Sequence, residues 1–118
     1  MYFCVIGVDI AKLKFDVASL CDGKYKHKVF NNNPQGFQQF MDWVVSLFAE
    51  HKPLICIEAT GAYSLPLAEF MDKQGYAVSV VNPAKIKAFG NSELSRTKTD
   101  KADAKRIARY AVTMQRAG

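Results

Sequence analysis

Two short apolar runs, each closed by an acid, constrain this chain most. Phe3-Cys4-Val5-Ile6-Gly7-Val8 ends at Asp9, and Leu54-Ile55-Cys56-Ile57 ends at Glu58. Runs this short and this apolar read as central strands of a sheet covered on both faces. A carboxylate placed directly after such a strand is poorly solvated, and it needs a cation, hydrogen-bond donors or a raised pKa. In open α/β sheets the carboxyl ends of parallel strands are where ligands gather, so Asp9 and Glu58 mark one candidate site.

The segments between them complete a mixed sheet. Residues 14–20 alternate, with Phe15, Val17 and Ser19 on one side and Asp16 and Ala18 on the other, and Asp16 is expected to face solvent. Asp22-Gly23 is a hairpin turn, and residues 24–30 alternate as a one-sided edge strand with lysines at 24, 26 and 28. Asn33-Pro34 opens a helix over residues 35–49, where Phe37, Phe40, Met41, Val44, Val45, Leu47 and Phe48 recur at helical spacing. At that spacing Trp43 and the phenylalanines belong to the core, and His27 and His51 are isolated structural or surface residues. A second helix is expected over 63–74, closed by Gly75, and a fifth strand over 76–81. A short helix over 84–90, a loop over 91–95 and a last helix capped by Thr97 or Thr99 and reaching Met114 follow. The order β-β-β-α-β-α-β-α makes an α/β fold, a mixed five-stranded sheet with helices on both faces.

The last helix carries two more acids. Asp100 and Asp103 are three residues apart, which sets them on one helical face with Cβ atoms roughly 5–6 Å apart. That face continues through Ile107, Tyr110 or Ala111, and Met114, the stripe expected to be buried. If its N-terminus approaches the ends of the first and fourth strands, four carboxylates converge. Oxygen ligands without His or Cys select Mg²⁺ or Mn²⁺ over zinc. Two such ions roughly 4 Å apart can bind one phosphate, activating the attacking oxygen and stabilising the leaving one.

Charge points to the same end of the sequence. The chain has 118 residues, about one domain, and a net charge of +5. Residues 1–83 carry −1 and residues 84–118 carry +6, so the excess is concentrated beside the two late acids. Lys85, Lys87, Arg96, Lys98, Lys101, Lys105, Arg106 and Arg109 are the candidate contacts to a nucleic-acid backbone. The three cysteines, Cys4, Cys21 and Cys56, form no CxxC pair, and the expectation is buried, inert thiols in a cytoplasmic protein. No apolar stretch approaches the ~20 residues that span a bilayer, so no membrane partner is expected.

Four motifs in order carry a family resemblance. Gly7-Val8-Asp9-Ile10-Ala11-Lys12, Ile57-Glu58-Ala59-Thr60-Gly61, Val81-Asn82-Pro83 and Arg96-Thr97-Lys98-Thr99-Asp100-Lys101-Ala102-Asp103-Ala104 cover essentially the whole chain. They closely resemble the N-terminal RuvC-like DEDD domain of insertion-sequence one-ten family transposases, a group that includes pilin-gene invertases. The resemblance implies an RNase H-like (RuvC-like) fold, with Asp9, Glu58, Asp100 and Asp103 as a catalytic tetrad binding Mg²⁺ or Mn²⁺ in DNA strand cleavage and exchange. It further implies DNA and a structured guide RNA as partners, a dimer or tetramer, and a second, C-terminal domain carrying a nucleophilic serine. Residues 1–118 then form a single domain of a longer enzyme, incomplete for catalysis by itself, and Ser64, Ser92 and Ser95 do not stand in for that serine. Two other readings compete: a RuvC-like structure-specific nuclease, and a non-catalytic RNA-binding or dimerisation module.

Overall fold

The computed structural model describes residues 3–49, 51–59, 61–91 and 100–117, with the backbone alone for residues 90, 91, 100, 101, 116 and 117. Five strands, β1 (Cys4–Ile10), β2 (Lys14–Cys21), β3 (Lys24–Asn31), β4 (Leu54–Glu58) and β5 (Val78–Val81), form one sheet in the order β3-β2-β1-β4-β5. β1 is central, antiparallel to β2 and parallel to β4, and the whole sheet is mixed as the sequence predicts. The helices are α1 (Pro34–Phe48), α2 (Leu65–Lys73), α3 (Pro83–Asn91) and α4 (Asp100–Ala117). The element order ends in the two helices expected over 84–90 and beyond 97. The expected loop over 91–95 and the caps at Thr97 and Thr99 fall largely outside the described residues.

Local chemistry explains the boundaries. Asp22 and Gly23 both have positive φ, 55° and 74°, the pairing a two-residue type I′ hairpin requires. Asn33 caps α1, its Oδ1 accepting from the Gly36 N–H at 2.7 Å, with Pro34 in the first turn. α2 begins later than expected because Gly61–Ser64 takes a single 3₁₀ turn first. β5 begins at Val78, not Tyr76, because Tyr76 belongs to the end of α2: its N–H donates to the Met71 carbonyl, and that of Gly75, at φ 87°, to Asp72. Those two bonds are a Schellman closure.

Strand alternation divides the interior into two layers. Ile6, Val8, Ile10, Phe15, Val17, Ile55 and Ile57 face α1 and α2 and pack with Phe30, Phe37, Phe40, Val44, Leu67 and Met71. Trp43 and Phe48 lie against this cluster, as core residues should. On the other face Val5 and Cys56 meet Ile86, Ile107, Ala108, Tyr110 and Ala111, contributed by α3 and α4. Met114 does not continue the buried stripe; it is 45% exposed, because α4 has run past the end of the sheet's apolar surface. Gly7 lets α4 lie directly on β1, since a Cβ there would collide with the Ala104 carbonyl oxygen and the Ala108 nitrogen.

The cysteines require a correction. Cys4 and Cys21 are register partners across β1 and β2, with Cα atoms 4.5 Å apart, and they are joined as a disulfide. Hairpin register, not sequence spacing, brings them together. Cys56 is the buried free thiol, and burial, with the nearby Glu58 charge, pushes its pKa up to about 12, so it does not react as a thiolate at neutral pH. No described helix is long and apolar enough to cross a membrane.

Candidate functional site

Asp9 and Glu58 stand side by side at the carboxyl ends of the two central parallel strands. Each follows directly on the paired residues Val8 and Ile57, which sets their backbones roughly 5 Å apart, the spacing of neighbouring strands. Both lie on the α4 face, because they alternate with Val8 and Ile57, which face α1 and α2. The sheet therefore brings Asp9 and Glu58 to neighbouring strand ends on one face.

α4 supplies the third carboxylate. Its backbone contact with Gly7 anchors Ala104 and Ala108 over β1, and Asp103, half-buried, sits one residue before that contact. Glu58 senses it: burial first, then the Asp103 charge, raise the Glu58 pKa above its ordinary 4.5, while Arg106 pulls it down. Arg106 Nη1 donates to Asp103 Oδ1 at 3.2 Å, one turn along the helix, and its buried Nε has no partner among the described residues. Asp100 opens α4, one turn before Asp103, with its side chain outside the described set.

The donor set suits a hard divalent cation, being carboxylate oxygen throughout. Mutual repulsion between Glu58 and Asp103 is what such a cation relieves. Among the described residues, however, no three His, Cys, Asp or Glu side chains stand close enough together to enclose an ion. Asp103 is instead engaged with Arg106, whose charge also acts on Glu58.

The predicted basic contacts divide. Lys85 and Lys87 are exposed on α3, and Arg109 is half-buried on α4. Lys105 reaches sideways, its Nζ 5.1 Å from the centre of the Tyr25 ring on β3. Arg106 belongs to the acid cluster rather than to an open basic face. Arg96 and Lys98 lie outside the described residues, as does the side chain of Lys101.

Sequence reasoning misplaced one acid. Asp16 is the register partner of Asp9 across β1 and β2 and is only 4% exposed, not solvent-facing. His27 Nε2 lies 3.0 Å from Asp16 Oδ1, and Lys14 Nζ donates to Oδ2 at 3.2 Å. His27 is thus a partner to a buried acid rather than an isolated residue. Alternation put Asp16 on the right face; the cover that α4 and β3 give that face is tertiary.

The raised Glu58 pKa has a measurable consequence. The folded chain holds the Glu58 proton more tightly than the unfolded one, so stability falls as pH rises through the window just above 4.5. Glu58→Gln is therefore expected to melt above wild type at pH 7 in chelator, by a small margin since Glu58 is only half-buried. The margin should close as pH falls below 4.5, where both states are protonated. Thermal melts across pH 3–8 check this, and a lower melting temperature for the variant at pH 7 contradicts it.

Comparison with known proteins agrees with this architecture. A family model described as a transposase, the DEDD type of IS110 elements, matches residues 6–117. Pilin gene-inverting proteins of Moraxella lacunata and Moraxella bovis are 42% and 41% identical over 106 residues, 89% of this chain. The chain spans about a third of the length of these relatives, 33%. Among solved structures, Thermus thermophilus RuvC in complex with a Holliday junction superposes with a TM-score of 0.68 at 16% identity, covering 99% of this chain and 97% of that one. A glucokinase of the ROK family from Streptomyces griseus aligns over 80% of this chain and 38% of its own, with a TM-score of 0.53 and 19% identity. At such identities these likenesses concern the fold alone, which is the RuvC-like, RNase H-like sheet expected from the motifs. With its family match running through both strand-end acids and into α4, the chain belongs to the DEDD transposase family of IS110 elements.

Proposed function

We propose that this chain is the metal-binding catalytic domain of a transposase or site-specific DNA recombinase that cuts and exchanges DNA strands. The observation that carries the reading is the placing of Asp9 and Glu58 at neighbouring strand ends, with the Glu58 pKa raised by burial and by the charge of Asp103 on α4. Asp9, Glu58, Asp100 and Asp103 would hold Mg²⁺ or Mn²⁺, and the bound cation supplies activation of an attacking oxygen and neutralisation of phosphate charge. The chain's own part is positional. β1 and β4 fix two carboxylates at neighbouring strand ends, and Gly7 seats α4 so that Asp103 approaches them.

Lys85, Lys87, Arg96, Lys98, Lys101, Lys105, Arg106 and Arg109 are proposed to meet the nucleic-acid backbone, with Lys85 and Lys87 the most openly placed of those described. Arg106 has a second task, to balance Asp103 when no cation is bound. The family resemblance supplies the rest of the reading: a guide RNA, a dimer or tetramer, a cytoplasmic setting, and a serine nucleophile from a further domain.

Metal titration tests the proposal. Saturation at a hundredfold excess over Kd contributes about 2.7 kcal/mol to the folded state, which for a domain of this size raises the melting temperature by roughly 10 °C. Mg²⁺ or Mn²⁺ is expected to produce that rise, and Asp9→Asn to remove it. A melting temperature indifferent to both ions overturns the catalytic reading in favour of an RNA-binding or dimerisation module. Cleavage of branched DNA by residues 1–118 alone, with metal, would instead favour a self-sufficient nuclease.

A further inference from the structure

β3 carries a row of cations that the charge of the first 83 residues conceals. Residues 1–83 sum to −1, yet Lys24, Lys26 and Lys28 stand at alternate positions of one strand with no acid among them. Alternation puts all three on the face of Phe30, which packs toward α1, while Tyr25 and His27 lie on the other face and are engaged by Lys105 and Asp16. The three lysines are exposed, and among the described residues none has a carboxylate within ion-pair distance. β3 is also an edge of the sheet, with β2 as its one neighbour in the strand order.

Beside this row an open groove of about 530 Å³ runs between the edge strand and α1. Lys28 and Phe30 line one side, and Gln39, Asp42 and Trp43 the other. Lys28 Nζ lies 5.7 Å from the centre of the Phe30 ring, which holds the inner end of the row at the groove. Lysine on an edge strand deters the addition of further strands, and one residue would serve for that. Three on one face, each roughly 7 Å from the next, instead suit a polyanion lying along the strand. A single strand of nucleic acid supplies both things this face takes: phosphates for the cations, and flat bases with polar edges for a groove walled by an amide, a carboxylate and an indole. An acidic peptide matches the lysines alone.

We propose that Lys24, Lys26 and Lys28 form a second nucleic-acid surface, which holds the backbone of an RNA or DNA single strand along the β3 edge beside the Trp43 groove. A strand bound there lies on the opposite face of the sheet from Asp9 and Glu58, so it is held rather than presented to the acids. This rests on the nucleic-acid reading above and is independent of any metal at the acids.

The experiment titrates the purified 118-residue chain with oligouridylate and oligodeoxythymidylate of about 12 nucleotides across roughly 50–200 mM salt, following the emission of Trp43, the chain's one tryptophan. Wild type is compared with Lys26→Gln, with the triple variant Lys24→Gln/Lys26→Gln/Lys28→Gln, and with Lys73→Gln, which removes one exposed charge from α2. Trp43 emission is expected to change on binding. Each lysine lost from the row should lower the slope of log affinity against log salt by about 0.7, and about 2 in the triple variant. At roughly 0.1 M salt that slope corresponds to about fivefold weaker binding in Lys26→Gln, with Lys73→Gln within about twofold of wild type. Should the triple variant fail to fold, Lys26→Gln against Lys73→Gln decides. Equal losses in those two, or a Trp43 emission that ignores saturating oligonucleotide, overturn the proposal and leave the nucleic-acid reading in place. If wild type binds neither oligonucleotide, that reading fails and the proposal falls with it. Tighter oligouridylate binding assigns the strand to RNA, and equal binding supports a backbone contact open to either. An oligoglutamate of equal length that binds as tightly, with the same Trp43 response, overturns the proposal in favour of an acidic protein segment.

Discussion

Gly7→Val should destabilise the chain by about 3 kcal/mol or more and abolish divalent-cation binding in whatever fraction remains folded. A side chain at this position meets backbone, not the yielding tip of another side chain: the Ala104 carbonyl oxygen and the Ala108 nitrogen lie where the new Cβ would go. Backbone in the middle of an α-helix cannot move aside residue by residue, so α4 must lift as a body. Lifting it exposes Val5, Cys56, Ile107, Ala108 and Ala111, the interior of one of the two apolar layers. It also withdraws Asp103 from Glu58. Gly7→Ala carries the same collision in its Cβ and is expected to fall between wild type and valine. Urea unfolding gives the stability and Mn²⁺ calorimetry gives the site. A valine variant within 1 kcal/mol of wild type would mean that α4 does not rest on β1 as described.

That dependence explains which parts of the molecule could be read in the sequence. β1 and β4 were legible because being buried on both faces leaves an unbroken apolar run, and the acids at their ends were legible because they interrupt it. The β2–β3 turn was legible from Asp22-Gly23, whose positive φ values only a few residues adopt easily. The β1–β2 connection had no such signature. Its closure, with the Ala11 N–H donating to the Lys14 carbonyl, fixes Ile10 opposite Phe15, and every other pairing follows from that. Without the register neither the Cys4–Cys21 pairing nor the facing of Asp9 and Asp16 can be deduced, since both are statements about opposite positions on two strands. α4 posed the complementary problem. Its periodicity identified Ile107, Tyr110 and Ala111 correctly, but periodicity has no knowledge of where the sheet ends, and Met114 lies beyond it. Charge was the least legible property. Counting named Lys105 and Arg106 as candidate backbone contacts but could not show that one lies over an aromatic ring and the other bonds an acid on its own helix.

Asp103→Asn should separate the electrostatics of the acid cluster from its packing. Asp103 is half-buried and makes no part of the apolar layers, so the substitution is expected to leave the fold intact. Two effects on Glu58 then act in the same direction. The Asp103 charge that raises its pKa is gone, and Arg106, released from its ion pair, is free to favour the ionised carboxylate. The Glu58 pKa is therefore expected to fall toward its ordinary value, with burial still holding it up. Carboxyl carbon chemical shifts followed by NMR across pH 3–8 measure this directly. Folded-state stability at neutral pH should rise in chelator, because a carboxylate raised above its unfolded value costs stability above that value, and here the penalty shrinks. Metal binding should move the other way. Losing one of the proposed oxygen ligands, and leaving Arg106 uncompensated beside the remaining acids, is expected to eliminate the Mn²⁺-induced rise in melting temperature. The two readouts thus oppose each other, stability gained without metal and affinity lost with it, which is the pattern of a site kept strained for binding. A variant that still binds Mn²⁺ like wild type, or whose Glu58 titrates unchanged, would show that Asp103 and Glu58 do not share a site.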